Sequence, residues 1–389
     1  MGSLRRICVI AILAVLLVTT VGGVFGNLNT VAQAQSLSAA PERVSFVTEV
    51  GGSQITCRKA TREEGLALAK RDGVERRVIS PASHSSSNGL TIILRGTPQL
   101  DSFPEAKAAF LVAAARWESL ISTPITIVID VDFGPTFFGQ PFPPLVLGST
   151  DTQSLIGGGI YDFVRQGLVF GASNSRERVL YSQFPAGSIT TDIGQTDIML
   201  SPSADFRALG LIDPVADPQG ELPFFGPPPA IGFNSGFPLD FDPSNGIDQD
   251  KLDFDGIATH EIGHALGFSS SVGLSELIPG FPTVPSVLDL FRFRPHVNLP
   301  SFGPEERVLS SGGEQVFFGL SPELEFSTGR PDGTGGDGFQ ASHWKLIVVN
   351  QNQPAIGIMV PAFGFGERHV ITNNDLRAFN VIGYRLRSE

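Results

Sequence analysis

Cysteine, methionine, histidine and basic side chains are all scarce in this 389-residue sequence, and each scarcity excludes something. There are 2 cysteines, and one of them, Cys8, lies in an N-terminal leader. Removal of that leader leaves Cys57 alone, so the remaining chain has no intramolecular disulfide. Lysine and arginine total 27 against 39 aspartates and glutamates, a net charge of −12. That balance argues against nucleic acid or an anionic membrane surface as a partner. Every apolar run beyond the leader is interrupted by proline, glycine or charge, so none is long enough to span a bilayer. No internal repeat or low-complexity tract is present. What remains is 41% hydrophobic, enough for the core of one large domain or two modest ones.

Residues 1–34 have the layout of a signal peptide. Arg5 and Arg6 precede an apolar run over 7–21, and Ala32-Gln33-Ala34 supplies a small-x-small cleavage site. An N-terminal membrane anchor is the other reading of this stretch. Cleavage predicts a secreted or periplasmic product. Residues 35–88 are polar and mixed, end in a serine-rich run at 83–88, and read as an N-terminal extension or propeptide. The compact pattern, 89–389, opens with a strand-like run at 90–94. A capping box, Ser102-Phe103-Pro104-Glu105, then introduces a helix whose apolar positions Ala106, Phe110, Ala113, Trp117 and Leu120 step by four and three. The β-branched run 125–131 reads as a central strand. Strand, helix, strand in this order predicts an α/β (α+β) fold, a mixed twisted sheet with a helix behind it. Short strands are expected at 196–201 and 230–234, between loops rich in Phe, Pro and Gly.

The densest signal is HEIGHALGF at 260–268. On an α-helix, His260 and His264 differ by about 40° in azimuth and about 6 Å in height, so both imidazoles face one point. Two such nitrogens can reach one Zn²⁺, and Glu261 stands beside the first, free to take a proton from metal-activated water. Asp253 or Asp255 can cap this helix. Asp240, Asp242, Asp248 and Asp250 precede them, a density that reads either as a solvated acidic loop or as oxygen ligands for Ca²⁺, although the spacing is not that of an EF-hand.

A catalytic zinc needs a third protein ligand. The compact arrangement HExxHxxGxxH has its third histidine at the position held here by Ser270, a poor zinc ligand. With 6 histidines in the chain, the candidates are His296, His343, His369 or a carboxylate such as Glu276. His343 is favoured. It sits in the polar–aromatic patch Ala341-Ser342-His343-Trp344-Lys345, after the glycine-rich turn 331–338. Met359 follows in the Gly/Pro-bounded turn Gly357-Ile358-Met359-Val360-Pro361, where a thioether suits the underside of a ring of imidazoles. His369 and His296 read as structural or solvent-facing, and His84 as part of a serine-rich loop. Cys57 reads as a small buried side chain or as an inhibitory thiolate on the metal.

HEIGHALGF, SHWK and GIMVP together resemble the leishmanolysin branch of the metzincin zinc endopeptidases, and 371–384 is similar to the closing helix of exported bacterial relatives. The resemblance covers roughly residues 90–384. It implies a metzincin-like fold, one catalytic zinc held by His260, His264 and His343, Glu261 as general base, Met359 as the turn methionine, and hydrolysis of a protein or peptide substrate; the leader adds secretion, and a monomer is expected. The chain departs from that pattern at Val360 and in lacking leishmanolysin's many disulfides. The long segment 269–340 is expected as an insertion beside the cleft. The rival expectation is an exported surface or binding protein that keeps the fold with a non-catalytic metal.

Overall fold

The computed structural model describes residues 40–71, 73–80, 89–277, 282–295, 302–317, 324–329, 335–346 and 356–387. The leader, the serine-rich run with His84, His296 and residues 331–334 of the glycine-rich turn lie outside them.

Among the described residues, nine strands form one open, mixed sheet: β1 (Ala40–Gly51), β2 (Gln54–Lys59), β3 (Arg77–Val78), β4 (Thr91–Gly96), β5 (Thr126–Gly134), β6 (Val146–Gly157), β7 (Met199–Pro202), β8 (Ala230–Asn234) and β9 (Ala362–Gly364). Their order is β9-β2-β1-β6-β8-β5-β4-β3, with β7 paired to the C-terminal end of β6. Strand β5 is flanked by parallel neighbours, β4 on one side and β8 on the other. Its Ile127, Ile129 and Val131 are buried, as a strand covered on both faces requires. The sequence reading located β4, β5 and β8 well. The strand expected at 196–201 is two pieces, Gly194–Thr196 in a separate small hairpin and β7 in the main sheet.

Within the segment read as an extension or propeptide, the described residues 40–51, 54–59 and 77–78 are strands of this sheet. The β1–β2 hairpin fills the space between β6 and β9, antiparallel to both. Helix α1 (Arg62–Leu68) follows it, and Thr61 and Glu64 form a capping box at its start. Within the segment 269–340, the pairs Arg292–Phe293, Val316–Phe317 and Leu324–Glu325 make a small separate sheet.

Two helices hold the centre. Helix α2 (Pro104–Leu120) buries Ala106, Phe110, Ala113 and Trp117, and fully burying Phe110 contributes about 1.5–3 kcal/mol. The expected capping box does not form. Ser102 ends a short 3-10 turn, and the N-cap residue is Phe103, which makes no side-chain bond. The helix starts one residue later than the box requires, with Pro104 at the first helical position, which its fixed φ favours. Helix α3 (Phe254–Ala265) packs against α2 and β6. Asp253 caps it, accepting from Gly256 N at 3.0 Å. Trp117 Nε1 donates to Thr259 O at 2.9 Å and locks the two helices together. Gly267 ends the segment at φ +113°, where a side chain would overlap the Asp205 carboxylate. Every residue of α3 is buried, so its two histidines and one glutamate must find partners in the interior. Helix α4 (Asn373–Val381) closes the chain. Among the described residues, no helix is long and apolar enough to cross a membrane.

Candidate metal centre

The i, i+4 spacing on α3 brings His260 and His264 together with ring planes at 89° and their Nε2 atoms 3.0 Å apart. His343 arrives from a loop far along the chain. Its Nε2 lies 3.2 Å from that of His264 and 3.3 Å from that of His260. Nitrogens about 2.0–2.1 Å from one tetrahedral zinc would sit about 3.3–3.4 Å from each other. The triangle therefore has the size of a metal's ligand face.

The outer nitrogens decide what this triangle is. His260 Nδ1 meets Ile358 O at 2.9 Å, His264 Nδ1 meets Phe268 O at 2.7 Å, and His343 Nδ1 meets Gln340 O at 2.8 Å. A carbonyl oxygen only accepts, so each Nδ1 carries the proton. Burial lowers the pKa of His260 to about 4 and those of His264 and His343 well below the usual imidazole value. Each ring is thus neutral, and three Nε2 lone pairs converge with no proton between them. Carbonyl bonds that fix the tautomer in this way accompany metal-ligating histidines generally.

A fourth donor comes from β2. Cys57 Sγ lies 3.8 Å from His264 Nε2, and all four side chains are buried. A thiolate and an imidazole on one tetrahedral zinc would be about 3.6 Å apart. Burial, and after it the Glu261 charge, push the thiol pKa well above its ordinary value. A cation at the centre of the cluster would reverse that preference. This buried Cys/His group can hold a metal ion.

Glu261 lies near enough for its charge to act on Cys57, and burial raises its own carboxyl pKa to about 7. Its Oε1 accepts from Thr48 Oγ1 at 2.8 Å, and hydrogen bonds from Thr150 and Thr48 partly offset the effect of burial. Thr48 belongs to β1, so the hairpin engages the carboxylate as well as the imidazoles. Phe46, also on β1, stacks on the His264 ring at 4.1 Å and 11°. Met359 is fully buried, and its sulfur rests against α3 at Gly263, where any Cβ would overlap it.

The remaining candidates are elsewhere. Ser270 Oγ donates to Asp289 Oδ1 at 2.6 Å, and Ser270 N donates to Ser342 Oγ at 2.7 Å, so this serine tethers the loop that carries His343. Glu276 accepts from Ser311 N. His369 packs on Phe363, with its Nε2 3.5 Å from Glu367. The aspartates ahead of α3 are engaged locally. Asp240 accepts from the amides of Asp242 and Asp248, Asp242 caps a turn at Ser244, and Asp255 pairs with Arg116 and Arg368. Among the described residues, the Cys57–His260–His264–His343 group is the one converging set of ligating side chains.

Sequence reasoning did not find Thr48 or Gly263. Nothing local marks Thr48, which matters only because β1 pairs beside α3. Gly263 had a signal, a glycine inside a helix opposite a methionine turn. No family model, curated protein or solved structure matches this chain.

Proposed function

We propose that this chain is a zinc-dependent endopeptidase of metzincin-like architecture, secreted after loss of its leader and acting on protein or peptide substrates. The observation that carries this reading is the convergence of three neutral imidazole Nε2 atoms beside a buried, unligated carboxylate. A purely structural site has no use for that carboxylate. Bound zinc would supply Lewis acidity toward a water and a substrate carbonyl. His260, His264 and His343 would hold it, with their tautomers set by three backbone carbonyls. Glu261 takes the proton from the attacking water on its carboxylate and returns it to the leaving amine nitrogen. Met359 supports the ligand plane from below.

Cys57 would be a fourth ligand to a bound metal and Thr48 bonds the base, so the enzyme would be latent until the β1–β2 hairpin moves away. The test is zinc content together with cleavage of casein or a fluorogenic peptide, with and without a chelator, after limited proteolysis. Glu261→Gln is expected to keep one zinc per chain and lose cleavage by at least a hundredfold, as loss of a general base implies. Near-normal cleavage by that variant would remove Glu261 from the mechanism.

One observation favours a second reading. Four buried protein donors make a closed set of the kind found in structural zinc sites. In that case the protein is an exported binding or surface protein, metal loading raises its stability, and no treatment of the hairpin produces cleavage.

A further inference from the structure

Asp375 is a fully buried carboxylate for which the reading above has no role. It lies at the third position of α4 and completes a capping box with Thr372. Its bonds reach well beyond that cap. Oδ2 accepts from Thr372 N at 2.8 Å, Thr372 Oγ1 at 3.1 Å and Ile358 N at 2.9 Å. Oδ1 accepts from Met359 N at 3.3 Å and Trp344 Nε1 at 2.9 Å. Five donors therefore converge on one acceptor-only group.

The other edge of the same backbone faces the metal cluster. Ile358 O receives the Nδ1–H of His260 at 2.9 Å, and Met359 O receives the N–H of Trp344, the residue after His343, at 2.8 Å. Asp375 grips the N–H edge of residues 358–359, and the cluster is bonded to their C=O edge. Gly357 fits this arrangement, because a Cβ there would overlap both carboxylate oxygens.

We propose that Asp375 is a positioning residue of the metal centre, setting the orientation of His260 and His343 through the Ile358–Met359 backbone and Trp344. The inference rests on the reading of the three histidines as metal ligands. Residues that orient ligands in this indirect way typically change metal affinity ten- to a hundredfold when replaced. Asparagine at 375 would keep the shape but turn an NH₂ group toward amide donors, leaving buried donors unpaired.

The test is zinc affinity by chelator competition on the full chain, read beside thermal unfolding. Asp375→Asn is expected to raise the zinc dissociation constant at least tenfold. Thr372→Ala removes the cap hydroxyl but leaves the bonds to 344, 358 and 359, so it is expected to lower Tm while changing zinc affinity less than threefold. Should Asp375→Asn fail to fold, Trp344→Phe removes a single donor to the same carboxylate and is expected to weaken zinc binding at least threefold. Unchanged affinity in Asp375→Asn, or in Trp344→Phe where the first does not fold, overturns the proposal. So does an equal loss of affinity in Thr372→Ala. A wild-type chain that binds no zinc would instead sink the metal-centre reading itself.

Discussion

Cys57 Sγ stands 3.8 Å from His264 Nε2 although 207 residues separate them in the chain. The sulfur arrives on β2, the middle of a hairpin that is hydrogen-bonded to β6 on one side and to β9 on the other. Closing so long a loop gains its return from two strand pairings, and the thiol travels with them.

Replacing that thiol separates the two readings of the site. If the hairpin holds a hydrolase latent, Cys57→Ser leaves three imidazoles for zinc and opens the fourth position. Peptide cleavage should then rise at least tenfold over wild type, with one zinc retained. If the site is structural, the same variant binds zinc more weakly and cleaves nothing. Metal analysis and a fluorogenic-peptide assay on one preparation decide between them.

His343→Ala removes the ligand that completes the triangle, and zinc affinity should fall by at least a hundredfold. His369→Ala should leave it within threefold, because His369 packs against Phe363 and Glu367 outside the cluster. Isothermal titration with zinc distinguishes the two. Unchanged binding by the His343 variant would move the third ligand elsewhere.

Gly263 is the place where Met359 meets α3. Gly263→Ala inserts a methyl group where the sulfur already lies, and overpacking of this kind costs about 1–3 kcal/mol. Chemical denaturation should show that loss, and Gly263→Ala/Met359→Ala should lose less than the sum of the two single variants, since the two groups compete for one space. Additive losses in the double variant would exclude the contact as the cause.

Asp253, which caps α3, has its pKa raised from 3.8 to about 6, with burial as the leading cause. The folded protein therefore holds this proton more tightly than the unfolded chain. The resulting stabilisation is complete below about pH 4 and is lost as the pH rises toward 6. Asp253→Asn keeps an acceptor for Gly256 N but does not titrate. Wild type should lose stability relative to the variant between pH 4 and 6, measured as the difference in denaturation midpoint. A difference that stays flat across that window would contradict the shift.

Much of the frame was legible in local pattern. The β-branched run 125–131 became β5, and the three–four stepping from Ala106 to Trp117 became the buried face of α2. The HExxH spacing placed two imidazoles on one side of α3, and Asp253 capped it as expected. All of these depend on neighbours within about one helical turn or one strand. The capping box at Ser102 failed for an equally local reason, since the helix begins at Pro104 and leaves Phe103, not Ser102, at the N-cap.

His343 lay at the edge of what sequence can show, marked by a tryptophan and a methionine turn but not by spacing. Thr48 on Glu261 and Asp375 under Ile358 carried no such mark, and Cys57 was readable either as plain core or as a thiolate on the metal. Side-chain periodicity determined which faces would be apolar and which two histidines would point together. Only strand pairing across the sheet, and the docking of α4 beneath the methionine turn, decided what would stand opposite them. Such contacts join residues tens to hundreds of positions apart, and their energy exists only once the whole core has closed.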